Sequence, residues 1–231
     1  MKKILILAAL LISSAASVFA QTNATAVKND TVSYLIGVNF GSFIKGNGFP
    51  ADKLDAKVIY EGAMDFLKAN GNPYDPDFTN QFRYDLNQMG DIFNRFIEAC
   101  KKEIGDRNMA KQQEFLDANK QNPDVYTSES GLQYKILNPG NAVRPKSTDK
   151  VLVNYKGCLI DNTVFDENTE VEFIVENVVK GFSEGLQLVG EGGKVILYIP
   201  SDLAYGEAGN RAIEPNSLLI FEVELLKVVK E

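Results

Sequence analysis

The residues with chemistry to offer gather in the second half of the chain. Val151 to Asp166, VLVNYKGCLIDNTVFD, carries Tyr155 on an alternating run and closes on Phe165 beside Asp166. The alternation of Val151, Val153 and Tyr155 is the period of a half-buried strand. Asp161-Asn162 supplies a reversal, because both side chains tolerate turns and bond their own backbone. A strand, a hairpin and an aromatic next to an acid make a greasy wall with one charge at its lip. Other chemistries are missing. The chain has no histidine, which removes His-based triads and most zinc sites. No P-loop or G-x-G-x-x-G run occurs, and Gly190-x-Gly192-Gly193 reads as a turn. No metal and no cofactor are expected.

These residues belong to a longer series. Tyr155-x-Gly157 with Asp161-x-x-x-Phe165-Asp166 resembles the signature of the FKBP-type peptidyl-prolyl cis-trans isomerases, the rotamases. Val178-Val179-x-Gly181-Phe182, Leu203-Ala204-Tyr205-Gly206, Ile213-x-Pro215-Asn216 and Phe221-x-Val223-x-Leu225 follow in that family's order, between Gly131 and Glu231. The resemblance implies an α+β domain, an antiparallel sheet wrapped around a short helix. It implies Tyr155, Phe165, Asp166 and Tyr205 as catalytic residues. Phe173, Val178, Val179, Phe182, Ile213 and Phe221 would bind substrate. The Val179 N–H would hold one substrate carbonyl and the Tyr205 hydroxyl another, while Asp166 bonds Tyr155 or the substrate amide region. Taken singly, Phe165, Phe173 and Phe221 read as core, and Asp166 as the end of a strand.

A pocket floored by Phe182 and walled by such residues holds no nucleophile, and an aspartate is too weak a base at neutral pH to matter. It suits chemistry that moves no proton and breaks no bond. Rotation about an X–Pro amide is of that kind, with a barrier of roughly 18–20 kcal/mol set by amide resonance. Proline-containing unfolded or exported polypeptides are the implied partners, and macrolides (FK506/rapamycin-type) the implied inhibitors. Three departures bear on peptide preference and macrolide affinity. Phe182 stands where most members have tryptophan, Glu214 where a small residue or proline is common, and Asn162 in place of the usual hairpin glycine. The Tyr205–Ile213 loop is also one residue shorter than in similar chains.

The elements that must position these residues are legible from periodicity. Strands are expected over Leu132–Leu137, Val151–Asp166 as a hairpin, Val171–Val175, Val195–Ile199 and Leu218–Val229, with a short helix over Gly181–Val189. Upstream, Val32, Leu35, Ile36, Phe40 and Phe43 fall on one helical face. A second amphipathic helix is expected from Asp52 to Ala69. A third, very long one is expected from Asp77 to Lys120, about 60 Å at 1.5 Å per residue, with Gly90 and Gly105 as weak points. Its apolar stripe fades after Ile104, and a second copy of the chain could bury the first half. Ser33-Tyr34-x-Ile36-Gly37 and Phe115-Leu116-x-Ala118-Asn119-Lys120 resemble the dimerising N-terminal domain of the macrophage infectivity potentiator (Mip)-like branch of the family. That resemblance implies a homodimer with a helical dimerisation domain over 21–122 and an isomerase domain over 123–231.

Composition sets the remaining bounds. The 231 residues are 45% hydrophobic and 24% charged, an ordinary globular balance. The net charge of −7 argues against nucleic acid, whose phosphates need clustered Lys and Arg. Met1-Lys2-Lys3, a short apolar run and Val18-Phe19-Ala20 read as a signal peptide over residues 1–20. No later stretch is apolar enough for a transmembrane span. An exported protein is expected, in the periplasm or associated with the outer membrane. Cys100 and Cys158 are expected as free thiols, since they fall in different segments. A foldase is the first functional expectation, and a holdase chaperone with weak or no isomerase activity is the second.

Overall fold

The structure, a computed structural model, describes residues 29–229. The expected signal peptide and most of the polar leader after it lie outside the described residues. The chain divides into two compact units, one ending at Asn70 and one beginning at Gly71.

In the first unit, α1 spans Asn29–Gly46 and α2 spans Ala56–Lys68. Gly48, at φ 76°, takes the left-handed turn that ends the first segment. The second helix starts later than Asp52. Asp55 is its cap, accepting from the N–H groups of Lys57 and Val58 at 2.8 and 3.4 Å, and Ala51–Lys53 forms a separate 3₁₀ turn. The apolar faces stay open: Leu35 is 53%, Ile36 65% and Leu67 76% exposed.

In the second unit, the long helix α3 spans Met89–Asn119. Its 31 residues reach about 46 Å, less than expected. The segment before it is broken into 3₁₀ turns over Pro76–Gln81 and Leu86–Gln88. Asp85 accepts from the backbone and side-chain N–H groups of Asn87 at 2.9 and 3.0 Å. Such local bonds offer the backbone an alternative to helix, which periodicity alone does not register. Phe78 and Phe82 still pack, with ring centroids 5.4 Å apart. The helix runs through Gly105 without a break.

A six-stranded antiparallel sheet follows, in the order β1-β2-β5-β6-β3-β4. Its strands are β1 (Tyr126–Thr127), β2 (Gln133–Asn138), β3 (Lys150–Cys158), β4 (Val164–Ile174), β5 (Gly193–Ile199) and β6 (Leu219–Val229). The β3–β4 hairpin turns through Asn162 at φ 67°, a conformation asparagine tolerates. β4 is one continuous strand where two were expected, because its middle, Glu167–Glu170, is polar on both faces. Val151, Val153, Val195, Leu197, Val223 and Leu225 bury the concave side completely. Helix α4, Lys180–Leu186, lies on that side. It approaches β5 through Gly181 and Gly185, where a Cβ would come within 2.4 Å of Ile199 and 2.3 Å of Leu197. Both cysteines are free, Cys100 buried and Cys158 half-buried.

Candidate functional site

Strand alternation and the close seat of α4 bring five rings together. Tyr155 from β3, Phe165 and Phe173 from β4, Phe182 from α4 and Phe221 from β6 form one cluster. Phe182 meets Phe221 edge-on at 4.9 Å between centroids, Tyr155 at 6.0 Å and Phe173 at 6.2 Å. Phe165 meets Phe221 edge-on at 5.4 Å. Edge-to-face geometry at these separations is favourable. Phe182 is only 3% exposed and Phe221 7%, while Phe165 and Phe173 are half-buried. Gly157 lets Phe165 and Phe221 come this close, since a Cβ there would come within 2.6 Å of Phe165 and 2.7 Å of Phe221.

The remaining expected residues surround the rings. Val178 and Val179 pack against the same core, and Val179 is the cap of α4. Ile213 is buried in that core from the loop after β5. Tyr205 stands at the foot of the same loop and is 40% exposed. Asp166 lies at the edge of the group. The Tyr155 hydroxyl donates to its Oδ2 at 2.6 Å. Asp166 is exposed, so holding that bond demands little desolvation. Burial pushes the Tyr155 hydroxyl above its usual pKa, with the Asp166 carboxylate adding to the rise and nearby Tyr205 a smaller contributor. The hydroxyl therefore stays a neutral donor across the physiological range.

Asn168 belongs to this group and was not anticipated. Its Nδ2 donates to the Tyr155 oxygen at 3.0 Å and to Asp166 Oδ1 at 3.4 Å. It stands directly across the ladder from Tyr155. Its place two residues after Asp166 was a usable signal, because i and i+2 share a strand face.

A cavity of about 500 Å³ shares Tyr155 with the rings but is otherwise lined by polar and charged groups such as Lys156, Lys194, Glu222 and Glu224. Those side chains belong to the outward face of the sheet, and nothing apolar there would receive a proline ring. Among the described residues no group of three or more His, Cys, Asp or Glu is placed to hold a metal. No described helix is long and apolar enough to cross a membrane.

Residues 141–226 match the family described as FKBP-type peptidyl-prolyl cis-trans isomerase, and residues 29–136 match the domain amino-terminal to it. An FKBP-type isomerase named FkpA from Aeromonas hydrophila is 35% identical, covering 85% of this chain and 75% of its own. The outer membrane protein MIP of Legionella longbeachae is 34% identical over 100% of this chain and 99% of its own. The chain belongs to the FKBP-type peptidyl-prolyl cis-trans isomerases. A crystal structure of FkpA from Escherichia coli superposes with a TM-score of 0.70 at 31% identity, covering 89% of this chain and 99% of that one. The helical region, the long helix and the antiparallel sheet are thus those of this isomerase family.

Proposed function

We propose that the ring cluster is where this isomerase turns over its substrate, without covalent chemistry. The supporting observation is the arrangement itself: a buried floor of Phe182 and Phe221, a half-buried rim of Phe165 and Phe173, and one anchored hydroxyl–carboxylate pair. Twisting an amide removes its resonance and part of its dipole. An apolar surface favours that less polar state over the planar amide in water, and the gain is specific to the transition state. Val178, Ile213 and the rings hold the prolyl ring. The Val179 N–H and the Tyr205 hydroxyl donate to flanking carbonyls and fix the substrate's orientation. Asp166, with Asn168, keeps the Tyr155 hydroxyl turned toward the rim. Macrolides of the FK506 type would compete for the same surface.

Cis-to-trans relaxation of a short proline peptide tests the site. Wild-type chain should accelerate it, and Asp166→Ala and Tyr205→Phe should each slow it while leaving the fold intact. Wild-type rates from both variants would remove the assigned roles.

A second reading has its own observation. The exposed apolar faces of α1 and α2 suit an unfolded client as well as a second copy of the chain. On that reading residues 21–122 hold clients or dimerise, and 123–231 isomerise. Suppressed aggregation alongside near-spontaneous peptide relaxation would favour a holdase. Export is proposed from the amino-terminal pattern of residues 1–20 and from the outer-membrane name of the Legionella relative. Cell fractionation separates periplasm from outer membrane.

A further inference from the structure

Ile213, buried in the ring-bearing core, and Tyr205, near enough to Tyr155 to bear on its hydroxyl, stand on one loop, and that loop is gripped from outside the isomerase motifs. Within it, Asn210 Oδ1 accepts from the N–H groups of Ala212 and Ile213 at 2.8 and 2.9 Å. Asn216 donates its N–H to the Gly206 carbonyl at 2.9 Å, tying the exit to the entry. Gly206 and Gly209 both sit at positive φ, a conformation that residues with a Cβ rarely adopt.

Helix α3 holds the loop from outside at both ends. At the entry, the Ser201 N–H donates to Gln112 Oε1 at 2.8 Å, and both residues are buried. At the exit, Asn108 Nδ2 donates to the Pro215 carbonyl at 3.0 Å and to Glu214 Oε2 at 3.2 Å. Gly105 lies against Asn216 and Pro215, where a Cβ would approach to 3.0 and 3.4 Å. Gly105, Asn108 and Gln112 are three and four residues apart, so they share one helix face. At these three positions the face is small and amide-bearing, and it continues through Phe115, which packs on Tyr198 with ring centroids 5.8 Å apart. A buried amide aimed at a buried backbone N–H fixes a register more than it drives burial.

We propose that Asn108 and Gln112 are positioning residues for the isomerase, holding both ends of the loop so that Tyr205 and Ile213 stand correctly against the rings. The proposal rests on Tyr205 and Ile213 being substrate contacts. Misplacing such a contact by about 1 Å costs on the order of 100-fold in rate, so a modest loosening is felt. The helix, upstream of every isomerase motif, is then part of the catalytic apparatus.

The test uses the full chain carrying Asn108→Ala, Gln112→Met, or both. Amide hydrogen exchange of residues 204–216 is compared with that of β5, and kcat/KM is measured on a short proline peptide, alone and in a Tyr205→Phe background. Loop exchange should quicken about tenfold with β5 unchanged, and kcat/KM should fall about tenfold. The loss should shrink in the Tyr205→Phe background, because part of it acts through the Tyr205 hydroxyl. Gln112→Glu, which keeps the acceptor oxygen, should restore protection. If Gln112→Met fails to fold, Asn108→Ala at its half-buried position decides alone. Unchanged loop exchange overturns the proposal whatever the activity. A loosened loop with wild-type turnover overturns it too. Tyr205→Phe at the wild-type rate would instead remove Tyr205 from the site reading, leaving loop exchange and Ile213 to decide on the helix.

Discussion

The Tyr155 hydroxyl donates a hydrogen bond to Asp166 and accepts one from Asn168, so three side chains from β3 and β4 act as one unit. Asp166→Ala leaves the hydroxyl without its acceptor. A hydrogen bond to a charged group is worth about 1.5–3 kcal/mol, and kcat/KM should fall by roughly tenfold or more, read by peptide relaxation. Tyr205→Phe should cost about tenfold with no change in unfolding midpoint, because the side chain is exposed. The Tyr155 pKa is raised by burial, which fixes a sign. Its contribution to stability is complete below the unfolded value of about 10 and is lost as pH rises through the higher folded value. Tyrosinate absorbance, followed beside urea unfolding at alkaline pH, should show the Tyr155 and Tyr198 hydroxyls, both raised by burial, titrating late and stability declining with them.

At the scale of elements, α4 sits as close to the sheet as two glycines allow. Gly185→Ala should cost about 1–3 kcal/mol by overpacking against Leu197, read as a shifted urea midpoint, and should displace the Phe182 floor. Most of the sheet was legible in the sequence, because Val195-x-Leu197-x-Ile199 and Phe221-x-Val223-x-Leu225 alternate cleanly and bury one face. The rings were legible through their family spacing. The start of α3 was not, since Asp85 competes for backbone donors at a point where the apolar repeat continues. β4 was read in two pieces because its solvated middle has no apolar beat. Helix propensity alone makes Gly105 a weak point in a helix. Its reason is instead the loop pressed against it, a contact more than 100 residues distant in sequence, which no local pattern carries.

At the scale of the whole molecule, the unanswered surface lies in α1 and α2. Tyr34, Leu35, Ile36 and Leu67 remain exposed, a patch of the kind that soluble chains usually cover. A homodimer through these helices is the expected arrangement. Sedimentation velocity of residues 21–231 should give twice the chain mass, and a chain beginning at Gly71 should run as a monomer. A monomer in both cases would end the dimer reading.

Gly157 has one more consequence. The methyl group absent there is the clearance that lets Phe165 and Phe221 meet edge to face. Adding it back, as Gly157→Ala, would tilt two rings while the neighbouring strand bonds keep their ladder. If peptide binds at these rings as proposed, Gly157 would set how far apart they stand without a side chain of its own.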